Sequence, residues 1–214
     1  MKIIAINGSP RVNGSTGTAL AYLAEELKKH GVETEIVHIG DKPIQGCTGC
    51  AVCHRKGDRK CVYDDIVNVL TDKIAAADGL VLGAPVYYGG IAGGAKSVYD
   101  RLFYKGLDIK LKVCAAVTAT RRSGGSTVYN QLNNYFTIMG GLIAPVTYWN
   151  AIHGANGDEI PQDIEGMGTL RHLAESMAWL LKMKEATKDS VPIPEMKKTV
   201  WTNFIRQGQE NAYN

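Results

Sequence analysis

The stretch from Lys2 to Thr18 constrains this chain more than any other. Lys2-Ile3-Ile4-Ala5-Ile6-Asn7 is a short apolar run rich in β-branched residues, the pattern of a strand buried on both faces of a parallel sheet. Gly8-Ser9-Pro10-Arg11-Val12-Asn13-Gly14-Ser15-Thr16 follows, a loop of small residues, hydroxyls, an amide and one arginine. Leu20, Leu23, Ala24 and Leu27 then recur at i, i+3, i+4 and i+7, which predicts a helix. Strand, polar loop and helix in this order present backbone N–H groups and a helix N-terminus to an anion. The sequence carries neither the Gly-x-Gly-x-x-Gly turn of a pyrophosphate site nor a Gly-x-x-x-x-Gly-Lys-Ser/Thr loop. Ser9, Arg11, Asn13, Ser15 and Thr16 suit a single terminal phosphate, with Arg11 as a forked cation. Taken alone, the loop also reads as an ordinary turn with an N-cap serine.

The same alternation of strand and helix continues. Val32 to Ile39 alternates as a half-buried strand after a stop at Gly31, and Gly79–Ala84, Leu111–Thr118 and Leu142–Thr147 are apolar strand patterns. Helical stripes run through Ile66, Leu70 and Ile74, through Ala95, Val98, Tyr99 and Leu102, and through Val128, Leu132, Tyr135 and Met139. The last runs through Leu170, Leu173, Ala174, Met177, Ala178 and Leu181. Asp64 or Asp65 is placed to cap the second helix, a better use of them than an acid–base pair. Pro145 cannot donate to a ladder, so the fifth strand belongs at an edge. Five βα units predict a doubly wound α/β domain over residues 1–189, with a cysteine-rich insertion at 41–65. Residues 190–214 form a tail carrying Pro192, Pro194, Trp201 and Phe204, with no core of its own. Those aromatics are expected to pack on a neighbouring subunit or on the parent domain.

A net charge of +3 and the lack of a basic-aromatic stripe argue against nucleic acid. No apolar run approaches the ~18 residues that span a bilayer. The start enters a strand directly, without a signal segment, so a cytoplasmic protein away from membranes is expected.

In an open α/β sheet, ligands sit beyond the carboxyl ends of the strands. Three loops there carry unusual chemistry. The first is the phosphate loop. The second, Pro85-Val86-Tyr87-Tyr88-Gly89-Gly90, can lay a tyrosine on a flat ring while Gly89 lets backbone reach its edge. The third runs on from Thr118 and offers backbone donors at Gly124 and Gly125, with Arg121 or Arg122 as a cation. A phosphate, a flat polar heterocycle and a connecting polyol describe FMN. No Ser–His–Asp order or nucleophile elbow is visible, so hydrolysis has little support and no catalytic acid or base is assigned. His153 reads as a solvated loop histidine.

Cys47-x2-Cys50-x2-Cys53-x7-Cys61 is the strongest spacing signal in the chain. Two x2 steps and a fourth cysteine are similar to the runs that wrap a [4Fe–4S] cube, although the last gap is longer. Four thiolates also suit zinc, and in a reducing compartment they can stay free thiols. His54, Arg55, Lys56, Arg59 and Lys60 lie between the last two and either offset an anionic cluster or face water. Cys114, inside an apolar strand, reads as inert core.

Gly8-Ser9-Pro10-Arg11-x-Asn13-Gly14-Ser15-Thr16, Pro85-Val86-Tyr87-Tyr88 and the cysteine cluster resemble the flavodoxin-like NAD(P)H-dependent FMN reductases, in particular the iron–sulfur flavoproteins. The resemblance covers roughly residues 1–185. It implies a flavodoxin-like, five-stranded parallel sheet in the order 2-1-3-4-5 with helices on both faces. It also implies FMN held by the three loops, with the third loop (Thr118, Gly124, Gly125) matching least securely, and a cluster on Cys47, Cys50, Cys53 and Cys61. The implied reaction is NAD(P)H or ferredoxin reducing the flavin, which then reduces a quinone, a free flavin or an electron-transfer partner. Homodimers or homotetramers are implied as well. A non-enzymatic electron carrier or redox sensor is the alternative.

Overall fold

The computed structural model describes residues 1–195; the predictions for Trp201 and Phe204 lie outside the described residues. The apolar runs become the centre of a sheet that has seven strands among the described residues. These are β1 (Lys2–Asn7), β2 (Glu33–His38), β3 (Gly79–Tyr87), β4 (Gly90–Ile91), β5 (Val113–Thr120), β6 (Leu142–Ile143) and β7 (Ala151–His153). The main path is β2-β1-β3-β5-β6, parallel throughout; β4 folds back antiparallel on β3, and β7 pairs with β5. With β5 and β6 as fourth and fifth strands, this is the expected doubly wound order.

Helices α1 (Ser15–Lys29), α2 (Val52–Arg55), α3 (Ile66–Ala75), α4 (Gly93–Tyr104), α5 (Gly125–Ile138) and α6 (Ile164–Thr187) connect the strands, with a 3-10 turn at Gly157–Gln162. Strand side chains alternate between two cores. Ile4, Ile6, Leu80 and Leu82 meet α3, α4 and α5, while Ile3, Ala5, Val81 and Val113 meet α1 and α6. All four residues from Ile3 to Ile6 are fully buried, which accounts for a continuous apolar run where a half-exposed strand would alternate. Two helix ends follow their sequence signals. Gly31, at φ +78°, closes α1 with its N–H on Lys28 O and that of Val32 on Leu27 O. Asp65 caps α3, its Oδ1 accepting the Val67 N–H at 3.1 Å.

The fifth strand differs from expectation. Leu142–Thr147 does not run through; only Leu142 and Ile143 pair with the start of β5, and the chain rejoins β5 at Ala151–His153. Ala144 still donates to Cys114 O, but Pro145 has no N–H with which to continue. Asn150 fills the gap: its Nδ2 donates to Ala116 O at 3.0 Å and its own carbonyl accepts the Thr118 N–H. Among the described residues no helix is long and apolar enough to cross a membrane.

Candidate functional site

The loop after β1 is shaped from beneath by the last residue of that strand. Asn7 Oδ1 accepts the Ser9 N–H at 3.1 Å, and Asn7 Nδ2 donates to Val12 O at 3.1 Å. Ser9 Oγ accepts the Arg11 N–H, so that hydroxyl is already engaged in a local turn. From β2, the His38 ring donates through Nε2 to Ser9 O at 2.8 Å. Close approach needs glycine at Gly40, where a Cβ would stand 1.9 Å from Ser9 O.

The helix that follows has no side-chain cap. Its N-cap is Gly14, which rules out the capping serine for α1 and leaves the first-turn N–H groups without a side-chain acceptor. Ser15 Oγ donates to Gly154 O, tying the loop to the segment after β7. Thr16 Oγ1 is buried and has no hydrogen-bond partner. A buried hydroxyl beside uncapped amides is a fit for a phosphate oxygen, which would satisfy both.

These groups line one recess. Ser9, Arg11, Ser15 and Thr16 form one wall, and Pro85, Val86 and Tyr87 from the end of β3 form another. Ala119, Thr120 and Arg121 from β5 and its loop close it, with Gly154 and Ala155. The structure thus joins seven of the predicted binding residues in one place. It does not bring in the rest. Asn13 is exposed, and Tyr88 and Gly89 form an outward tip, Tyr88 in the left-handed region at φ +50°. Thr118 lies fully buried within the sheet, its hydroxyl unpartnered. Gly124, at φ +89°, is the N-cap of α5 and packs under Val86 and Gly89. Gly124 and Gly125 face a neighbouring depression with Arg122, Tyr148, Trp149 and His153. His153 is half-exposed and tethered to Asp163, which accepts its N–H at 2.7 Å and caps α6.

Four contributors escaped the sequence reading: Asn7, His38, Gly154 and Ala155. The first two had a signal, since Asn7 and His38 are register partners at the same sheet end. Gly154 and Ala155 had none, because no strand pattern in the sequence marks β7.

The four clustered cysteines line a second recess, together with Tyr104, Arg101 and Lys105. Cys47 and Cys50 are exposed, Cys53 is buried on α2, and Cys61 is partly buried. Positive φ at Gly49, Ala51 and Gly57 turns the segment about these sulfurs. The cationic residues between the cysteines bind backbone. His54 Nε2 donates to Tyr104 O, Arg55 Nη2 to Cys50 O and Arg59 Nη1 to Gly106 O. Asn68 clamps Cys61 from α3, accepting its N–H at 2.9 Å and donating to its carbonyl at 3.1 Å. The N–H of Val52 holds the Cys50 thiol below its ordinary value, whereas burial pushes Cys53 up. Among the described residues no three His, Cys, Asp or Glu side chains stand close enough to ligate one ion. The recess gathers all four sulfurs of the motif, a donor set that suits an iron–sulfur group or zinc. Cys114 is fully buried, with its thiol pushed up to about 12 by burial, consistent with an inert core residue.

Comparison with known proteins bears on both recesses. A family model described as NADPH-dependent FMN reductase matches residues 1–156. An iron-sulfur flavoprotein of Methanocaldococcus jannaschii is 33% identical over 192 residues, covering 86% of this chain and 98% of that protein. Among solved structures, RosB with a bound 8-demethyl-8-formylriboflavin-5'-phosphate superposes with a TM-score of 0.66 at 18% identity, covering 100% of this chain and 97% of that one. An archaeal flavodoxin superposes with a TM-score of 0.57 at 13% identity, covering 85% and 99%.

Proposed function

The chain belongs to the NADPH-dependent FMN reductase family, and from that premise we propose that it is an FMN-dependent oxidoreductase using a nicotinamide nucleotide as electron donor. The observation that carries this reading is the recess where three strand-end loops meet, with the partnerless Thr16 hydroxyl in its phosphate wall. Bound FMN would supply the redox chemistry, its ring accepting a hydride from the nucleotide. The residues of the chain do the rest. Arg11, Ser15, Thr16 and the first-turn amides of α1 hold the phosphate. Pro85, Val86 and Tyr87 form the ring wall, and Ala119, Thr120 and Arg121 close the opposite side. No side chain is required to move a proton in that transfer. A quinone, a free flavin or an electron-transfer protein then takes the electrons.

A second reading rests on the cysteine recess. Cys47, Cys50, Cys53 and Cys61 hold a [4Fe–4S] cluster, which makes the chain competent to relay single electrons to a partner. The relative from M. jannaschii is named an iron-sulfur flavoprotein.

Titration of the apo-protein with FMN and with riboflavin tests the first reading. Arg11→Ala is expected to weaken FMN by ~1.5–3 kcal/mol and riboflavin far less. Equal losses for both ligands would place the phosphate elsewhere. Steady-state oxidation of NADPH with a quinone then separates an enzyme from a carrier.

A further inference from the structure

Two cations at the C-terminal end of α4, Arg101 in its last turn and Lys105 at its C-cap, face the four cysteines. Arg101 is 2% exposed and Lys105 2% exposed, and both line the cysteine recess. The guanidinium straddles one sulfur: Nε donates to Cys61 Sγ at 3.3 Å and Nη2 at 3.1 Å. Its other contacts are a two-pronged pair with Asp65 (2.6 and 3.0 Å) and bonds to the carbonyls of Gln45 and Tyr63, at 3.2 and 3.3 Å. One side chain thereby gathers the entry to Cys47, Cys61 itself and the exit toward α3. Among the described residues, the hydrogen-bond partners of Lys105 are neutral, Thr71 Oγ1 at 2.7 Å and Asn68 Oδ1 at 3.3 Å.

Two buried cations face a single carboxylate in hydrogen-bond contact, and Asp72 acts on Lys105 only through space. Burying a cation against neutral hydrogen-bond partners is costly, so charge in contact at the recess is out of balance. An anionic group in the recess resolves the imbalance. A cube ligated by four thiolates carries net negative charge, and each electron it accepts adds more. Buried cations and N–H donors on a ligand sulfur favour the reduced form.

We propose that Arg101 is a positioning residue that fixes Cys61 as a cluster ligand and, with Lys105, raises the reduction potential of the group bound at the four cysteines. This rests on the cluster reading of those cysteines. Neither residue belongs to the cysteine motif, because both lie at the C-terminal end of α4, at least forty positions beyond Cys61.

The test uses the full chain reconstituted anaerobically with ferrous iron and sulfide, then titrated with dithionite and followed by electron paramagnetic resonance. Parent, Arg101→Lys, Arg101→Met and Lys105→Met are compared, with thermal melting of each apo-protein as the folding control. Arg101→Met is expected to lower the midpoint potential by at least a tenfold change in the reduced-to-oxidised ratio, about 59 mV for one electron. Arg101→Lys should keep most of that potential and lose iron faster to a chelator, since the charge stays and the fork does not. Lys105→Met should shift the potential in the same direction by a smaller amount. Unchanged potentials in both methionine variants with a loaded parent would overturn the inference and leave the cluster reading standing. A parent that takes up no iron overturns both. Should Arg101→Met fail to fold, Lys105→Met decides: a lowered potential supports the proposal, and the parent value refutes it.

Discussion

Alanine normally stabilises a helix relative to glycine by ~1 kcal/mol, so Gly17→Ala in α1 would be an improvement on propensity alone. The structure reverses the sign. A Cβ at Gly17 would stand 2.0 Å from Val12 O, 3.1 Å from its carbon and 2.9 Å from Asn7 Nδ2. The carbonyl must retreat by more than an ångström, and with it goes the Asn7 Nδ2 bond that holds the loop. Forcing a methyl into packed surroundings costs ~1–3 kcal/mol. The lost bond adds ~1 kcal/mol, and helix propensity gives back ~1 kcal/mol. The net is a loss of ~2 kcal/mol, which for a chain of this size lowers the melting temperature by ~4–8 °C. Gly168 supplies the control. It lies inside α6 with nothing within 4 Å of its Cβ position, so Gly168→Ala should stabilise by up to ~1 kcal/mol. Calorimetry of both apo-variants under one buffer reads the two signs. An FMN titration reads the loop, where Gly17→Ala should cost at least about tenfold in affinity, ~1.4 kcal/mol. A Gly17→Ala protein that melts at or above the parent would refute the reasoning.

Two further outcomes follow from the sheet. Asn150→Ala removes the donor to the buried Ala116 carbonyl and should destabilise by ~1–3 kcal/mol, read as a lower urea midpoint with an unchanged slope. Glu35 bridges Lys2 at 2.8 Å and Lys73 at 2.5 Å, and hydrogen bonds from those lysines hold its carboxyl below the usual range. A depressed carboxyl stabilises the fold above its unfolded value and loses that contribution as pH falls through its folded value. The parent should therefore out-melt Glu35→Gln at pH 6, and the gap should close below about pH 4; a gap that is constant with pH would sink the assignment.

The central strands and their helices were legible because burial on both faces leaves an unbroken apolar run. The strand after α5 was not. Its pattern from Leu142 to Thr147 is as apolar as the others, but Pro145 ends the ladder and a side chain, Asn150, takes over a backbone task. A periodicity argument cannot see that substitution. The phosphate loop shows the same division. Its hydroxyls and arginine announced the chemistry, whereas the residues that set its shape, Asn7, His38 and Gly40, lie on strand ends where only register reveals them. Thr118 fell on the right strand but on a buried position of it, so the loop it was meant to serve begins two residues later, at Thr120 and Arg121.

The cysteine segment makes the case most sharply. In the sequence, five basic residues crowd the gap between Cys53 and Cys61 and look like the natural counter-charge. In the fold His54, Arg55 and Arg59 spend their donors on backbone carbonyls at exposed positions, where water screens them. The buried charges beside the sulfurs come from Arg101 and Lys105, distant in sequence and almost fully buried. A pair of charges about 4 Å apart interacts by ~1 kcal/mol in water and by ~4 kcal/mol near a protein surface. Position therefore outweighs number: two buried cations act on the recess more strongly than several solvated ones. Sequence proximity ranks these residues in the opposite order, because the end of α4 reaches the cysteines through the fold and not along the chain.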